Sequence, residues 1–193
     1  MGRRRFSRPL GERRYKKMFV IAAEGAETEP AYFKMFGDAE RVIHIQMLSG
    51  KNKSAPPQVL KRMNVYLKNQ RLKADDQAWL VVDTDQWTEQ QLNGLHQWTG
   101  TKPNYHLAVT NPKFEYWLLL HFEDGHGVGS SRECSERLLR RLPNYEKGNV
   151  DVRQLAEGVA EAIRRAREKD SPPCADWPRT IGTTVYRLVE QLT

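Results

Sequence analysis

An α/β fold, with a parallel four-stranded sheet covered by helices on both faces, is the class this sequence predicts, and three observations predict it. Four apolar runs of strand length recur within residues 18–110. Segments of helical periodicity stand between them, and parallel neighbours need such crossover connections. Two of the runs end in acids: Phe19-Val20-Ile21-Ala22-Ala23 leads into Glu24-Gly25, and Trp79-Leu80-Val81-Val82 leads into Asp83-Thr84-Asp85.

Taken in order, residues 18–23 read as the first strand. Thr28-Glu29-Pro30 opens a helix with a capping residue and an early proline, and Gly37 closes it. Residues 42–48 form the second strand. Ser54 and Pro56-Pro57 start a helix on which Val59, Leu60, Met63, Tyr66 and Leu67 share one face. Residues 78–82 form the third strand, and Thr88 caps a helix carrying Leu92, Leu95 and Trp98. Residues 105–110 form the fourth strand, with a helix over residues 112–121. The last third reads as a helical extension over residues 130–193: Ser130-Ser131-Arg132-Glu133 resembles a capping box, Asp151 precedes a face of Leu155, Val159, Ala162, Ile163 and Ala166, and Val185, Leu188, Val189 and Leu192 mark a last helix.

Composition narrows the function classes. At 193 residues the chain suits one core-bearing domain, residues 18–193, behind an arm. No apolar stretch is long enough for a membrane span or a signal-peptide core, so a cytoplasmic protein without membrane contact is expected. Cys134 and Cys174 have neither CxxC nor zinc spacing and read as inert thiols. The five histidines show no HExxH or other ligand spacing and read as structural. The formal charge of +7 is wholly in the arm: residues 1–17 hold eight basic residues (Arg3, Arg4, Arg5, Arg8, Arg13, Arg14, Lys16, Lys17) against Glu12 alone. Such a block is either a solvated tail or a phosphate-binding arm that adds salt-sensitive affinity for RNA or DNA.

In a parallel sheet, ligands bind beyond the carboxyl ends of the strands. Glu24, Asp83 and Asp85 are expected there, with the loop lysines Lys51 and Lys53. Side chains two apart on an extended chain point the same way, so Asp83 and Asp85 read as a pair able to hold a hard divalent cation such as Mg2+ or Mn2+. Glu24 reads as a further ligand or a general base in phosphodiester chemistry. The plainer alternative is that Asp83 ends a strand and Asp85 turns the chain. Acid-x-acid spacing also occurs at Glu27/Glu29, Asp38/Glu40 and Glu168/Asp170, so spacing alone is weak. Ser49-Gly50-Lys51 lacks the upstream glycine of a P-loop. The five tryptophans read as core residues before stacking platforms.

Three motifs carry a resemblance over most of the chain: Glu24-Gly25 with Glu27-Thr28-Glu29 and Tyr32-Phe33; Asp83-x-Asp85-x-Trp87; and Asn111-Pro112-x-Phe114-Glu115-x-Trp117-Leu118-Leu119-Leu120-His121-Phe122. Together they resemble the RloB family, whose relatives include abortive-infection second components and which is similar to Toprim domains of topoisomerases, primases and OLD-type nucleases. The resemblance implies a Toprim-like, Rossmann-like fold and a role in antiphage defence beside an ATPase partner. It matches Glu24 to the Toprim glutamate, and Asp83 and Asp85 to the magnesium-binding DxD pair. Where many Toprim motifs place a glycine after the second aspartate, this chain has Gln86-Trp87. Glu115 lies in the third motif without a role assigned by the Toprim pattern. The expected activity is magnesium-dependent hydrolysis of RNA, tRNA in particular, or DNA; the alternative is a non-catalytic nucleic-acid-binding or scaffold subunit of an ATPase-containing complex.

Overall fold

The computed structural model describes residues 17–37, 43–50, 56–85, 87–146 and 150–193. Lys51, Lys53 and the arm residues 1–16, with Arg3, Arg4, Arg5, Arg13 and Arg14, lie outside the described residues. The sheet is built from β1 (Lys17–Ala23), β2 (Ile43–Leu48), β3 (Gln77–Asp83), β4 (Tyr105–Asn111) and β5 (Gly182–Thr183), in the order β2-β1-β3-β4-β5. The first four are parallel, as expected. The four-strand expectation is corrected to five, because β5 pairs antiparallel with the end of β4. Two residues give no periodicity to read. What holds them is tertiary: Thr110 and Thr183 hydroxyls meet at 2.9 Å, and the Thr184 hydroxyl accepts from the Val109 N–H at 2.9 Å.

Alternation along the strands divides the core into two layers. Phe19, Ile21, Ala23, Trp79, Val81 and Ala108 face one side; Val20, Ala22, Ala78, Leu80, Val82, Leu107 and Val109 face the other. The second side is covered by α2 (Pro56–Asn69) through Val59 and Met63, and by α3 (Glu89–Thr99) through Leu92, Leu95 and Trp98. Thr88 caps α3 as expected, in a full capping box with Gln91.

The first side is covered by α1 (Thr28–Lys34), α4 (Glu115–Leu119), α5 (Ser131–Arg141), α6 (Val152–Lys169) and α7 (Val185–Leu192). The C-terminal helices are therefore not an appendage to a sheet already covered. Leu138, Leu155, Ala162, Leu188 and Val189 are buried in the same cluster as Phe19 and Val81. Periodicity shows that these helices have apolar faces, and only packing shows what the faces cover. Gly158 lets α6 approach α4, since a Cβ there would stand 2.5 Å from the His121 carbonyl oxygen.

Three local expectations change. Thr28 does not cap α1 but begins it after Glu27, and its hydroxyl stands 3.5 Å from the Tyr145 hydroxyl. Ser130 caps α5 by accepting from the Glu133 N–H, yet Glu133 reaches back to the Gly129 N–H, so the reciprocal bond lies one residue further out. The helix expected over residues 112–121 is regular only in α4. Around it Tyr32 contacts the rings of Phe33, Phe36, Phe114, Trp117 and His121 edge-on or nearly so. Among the described residues no helix is long and apolar enough to cross a membrane.

Candidate functional site

The carboxyl ends of β1 and β3 are hydrogen-bonded neighbours, with Ala23 opposite Val81. The ladder runs one bond past β1, where the Glu24 N–H donates to the Val81 carbonyl at 3.1 Å. Glu24 therefore leaves the sheet beside Asp83, as expected from two strands that end in acids. Its Oε2 accepts from the Trp87 indole N–H at 2.7 Å and from the Asp83 backbone N–H at 3.4 Å. Arg62 of α2 donates to the Ala23 carbonyl at 2.7 Å and places a positive charge near Glu24.

Asp83 and Asp85 are not the matched pair that an extended chain would make. β3 ends at Asp83, and Thr84 begins a turn in which the Trp87 N–H returns to the Thr84 carbonyl. Asp85 lies exposed in that turn, its N–H donating to the Pro112 carbonyl at 3.3 Å. The i, i+2 rule needs strand geometry at both residues, and here it stops at the first. Asp83 is instead half-buried, with the charges of Glu29, Glu24 and Glu115 close by.

Of those acids, Glu29 extends the expected set, and Glu115 is already a candidate near the site. Glu29, near the start of α1, is 6% exposed and accepts from the Gly25 N–H at 2.8 Å. Glu115, the first residue of α4, is 8% exposed and accepts from the Tyr145 hydroxyl at 3.3 Å. Burial costs a carboxylate its hydration, and neighbouring like charges disfavour ionisation further. Desolvation, then the charges of Glu29 and Glu24, push Asp83 well above the ordinary aspartate value. Desolvation pushes Glu29 up, with Glu115 and Glu24 adding repulsion. Glu24 is also raised by desolvation, while the Trp87 bond opposes the rise.

Gly25 is required by close approach. A Cβ there would stand 2.0 Å from Oε2 of Glu29. Gly25→Ala is expected to displace Glu29 and leave a buried carboxylate without its N–H donor, costing about 1–3 kcal/mol; a chemical-denaturation midpoint equal to the parent's would refute this.

Sequence patterning does not single out Glu29, Trp87 or Tyr145. Glu29 belongs to one of several acid-x-acid pairs, although it follows the strand-end Glu-Gly by one helical turn. Trp87 closes the second motif, and the structure gives it a contact, the bond to Glu24. Tyr145 lies 30 positions from Glu115 and no spacing signals it. His121, Cys134 and the tryptophans fit the structural reading. His121 is buried between the Tyr32 hydroxyl at 3.1 Å and the Trp117 carbonyl at 3.0 Å. Burial lowers its pKa to about 4, so Nδ1 donates to the carbonyl and Nε2 accepts from Tyr32. Burial pushes the Cys134 thiol up to about 12, which suppresses its thiolate. All five tryptophans are buried.

A surface hollow lined by Lys17, Asp75, Gln77, Asn104 and His106 lies at the amino ends of the strands, opposite the acids. Three of its polar groups are engaged within the chain: Gln77 by the Trp79 indole, Asn104 by the Asp76 carbonyl, and Lys17 by Gln191.

The donor set at the acid end, all carboxylate oxygen, fits a hard divalent cation in its chemistry. As the side chains stand, no three acidic, histidine or cysteine donors among the described residues converge to enclose an ion.

No curated protein and no solved structure matches the chain. The family model described as RloB-like protein matches residues 19–192, from β1 to the end of α7, and the chain belongs to that family.

Proposed function

We infer that this protein is a metal-dependent, Toprim-like nuclease, an effector of antiphage defence that hydrolyses phosphodiester bonds in RNA, tRNA foremost, or in DNA. One observation carries the reading: Glu24 from β1 and Asp83 from β3 meet at the carboxyl end of a parallel sheet, with Asp85 at the rim and Glu29 and Glu115 buried behind. A cluster of acids that raise one another's pKa is poorly suited to holding a fold together and well suited to attracting a cation. Glu24, Asp83 and Asp85 are the residues that would hold Mg2+ or Mn2+. When bound, the cation polarises the phosphoryl oxygen and acidifies water. The chain's own part is to fix Glu24 through Trp87 and the Asp83 N–H, and to offset repulsion of an anionic substrate with Arg62.

Purified protein incubated with tRNA and with duplex DNA is expected to cleave one of them in Mg2+ or Mn2+ and neither in EDTA. Cleavage that survives chelation would remove the metal from the mechanism. Binding without cleavage under every condition would favour a non-catalytic scaffold subunit docked on an ATPase. An ATPase partner is part of both readings.

The basic arm is assigned affinity and not chemistry. Deleting residues 2–14 removes six arginines and is expected to flatten the salt dependence of nucleic-acid binding, by about 0.7–0.9 in log-log slope for each phosphate that is no longer neutralised. An unchanged slope would make the arm a tail.

A further inference from the structure

Trp87 differs from the other tryptophans whose indole partners are visible. Trp79 donates to the neutral amide of Gln77 at 2.9 Å, and Trp98 to that of Asn64 at 3.1 Å. Trp87 donates to a carboxylate, at 2.7 Å, the shortest of the three. That bond is charge-assisted and stronger than the neutral ones. The ring cannot easily drift, because it is packed in the second layer with Val82, Leu92 and Trp177. The Trp87 backbone N–H is tied to the Thr84 carbonyl at 3.2 Å, in the turn that also displays Asp85. One residue thus links the Glu24 side chain to the turn carrying the second aspartate.

A glutamate reaches its carboxylate through two methylenes, and holding it in one pose costs rotamer entropy. Both donors on Glu24, the indole and the Asp83 N–H, address Oε2. Among the described residues no donor addresses Oε1, which is left for a further ligand. We propose that Trp87 is a positioning residue: its core-locked indole holds Glu24 by Oε2, so that Glu24 presents Oε1 beside Asp83 in a set orientation. This deepens the metal-dependent reading above and rests on it. Metal ligands are oriented by groups behind them, and loss of such a group typically costs 10- to 100-fold in affinity or activity.

The test compares Trp87→Phe, which keeps an aromatic ring and removes the donor, with Trp98→Phe, which makes the same change in the same layer at an indole that serves an amide. Mn2+ alone is titrated calorimetrically into each full-length protein, and single-turnover cleavage is measured alongside. Indole N–H resonances are recorded by NMR without metal. Trp87→Phe is expected to weaken Mn2+ binding and slow cleavage by about 10- to 100-fold, with nucleic-acid KM unchanged. Trp98→Phe is expected to leave both at the parent level. In metal-free protein, Glu24→Gln is expected to move the Trp87 indole proton upfield. If Trp87→Phe binds Mn2+ as tightly as the parent, or both Phe variants lose equally, the positioning role is overturned while the metal reading stands. If the parent itself binds no Mn2+, the metal reading fails and takes this proposal with it. A misfolded Trp87→Phe, seen by circular dichroism, would leave the NMR arm decisive: an indole resonance indifferent to Glu24→Gln overturns the proposal.

Discussion

Asp83→Asn, Asp85→Asn and Glu24→Gln are each expected to lower single-turnover cleavage by roughly 10³-fold or more, with little change in nucleic-acid affinity. Groups that act as one unit lose nearly everything when one member is removed, so the triple variant should be scarcely worse than any single one. Each exchange preserves shape and removes one ligand charge. The structure separates the three in a way the motif does not. Asp85 is exposed in a turn, so its replacement should move the melting temperature less than that of Asp83. Asp83 is half-buried with acids close by, and its replacement should change stability as well as rate. Full activity in Asp85→Asn would defeat the metal assignment, since that residue is the rim ligand.

Asp83→Asn is expected to melt higher than the parent at pH 8, by about 2–4 °C for each kcal/mol gained in a domain of this size. The sign follows from linkage. Asp83, Glu29 and Glu24 all have folded pKa values raised above their ordinary ones, by desolvation first and mutual repulsion second. A group raised in this way contributes stability that is fully present below its unfolded pKa, near 3.8 for Asp83, and is lost as pH rises through the folded value. Removing the Asp83 charge removes that loss. The gap between variant and parent should therefore be widest at pH 8 and close as the pH falls towards 4. Asp170 works in the opposite direction, since hydrogen bonds from Cys174, Tyr186 and Arg187 outweigh its desolvation and lower its pKa; its contribution is present at neutral pH and lost on acidification. It acts on variant and parent alike. Mg2+ should raise the melting temperature of the parent, because a ligand that binds only the folded state stabilises it by mass action, and should not raise that of Asp83→Asn. A melting gap equal at every pH would show that Asp83 is not held among charged neighbours.

Glu24 and Asp83 can be placed from the chain alone because their position depends on local facts. An apolar run of strand length, followed by an acid and then a helix start, puts the acid at a carboxyl end in any parallel sheet. The same local logic places α2 and the Thr88 cap. A local rule fails where the geometry behind it stops: Asp85 lies past the last residue of β3, and the turn that exposes it is held by the Pro112 carbonyl, 27 positions away.

What only the tertiary structure decided concerns contacts made across long stretches of chain. Glu29, Glu115 and Tyr145 come from α1, α4 and the segment after α5, and they meet because all those pieces cover one face of the sheet. Glu29 and Glu115 stand within the motifs, but no spacing in the sequence shows that they meet one another or Tyr145. β5 is two residues long and exists because Thr110, Thr183 and Thr184 satisfy one another in a buried place. The chain by itself determined which residues stand at the ends of strands; folding determined which of them lose their water together, and that shared desolvation sets the electrostatics of the site.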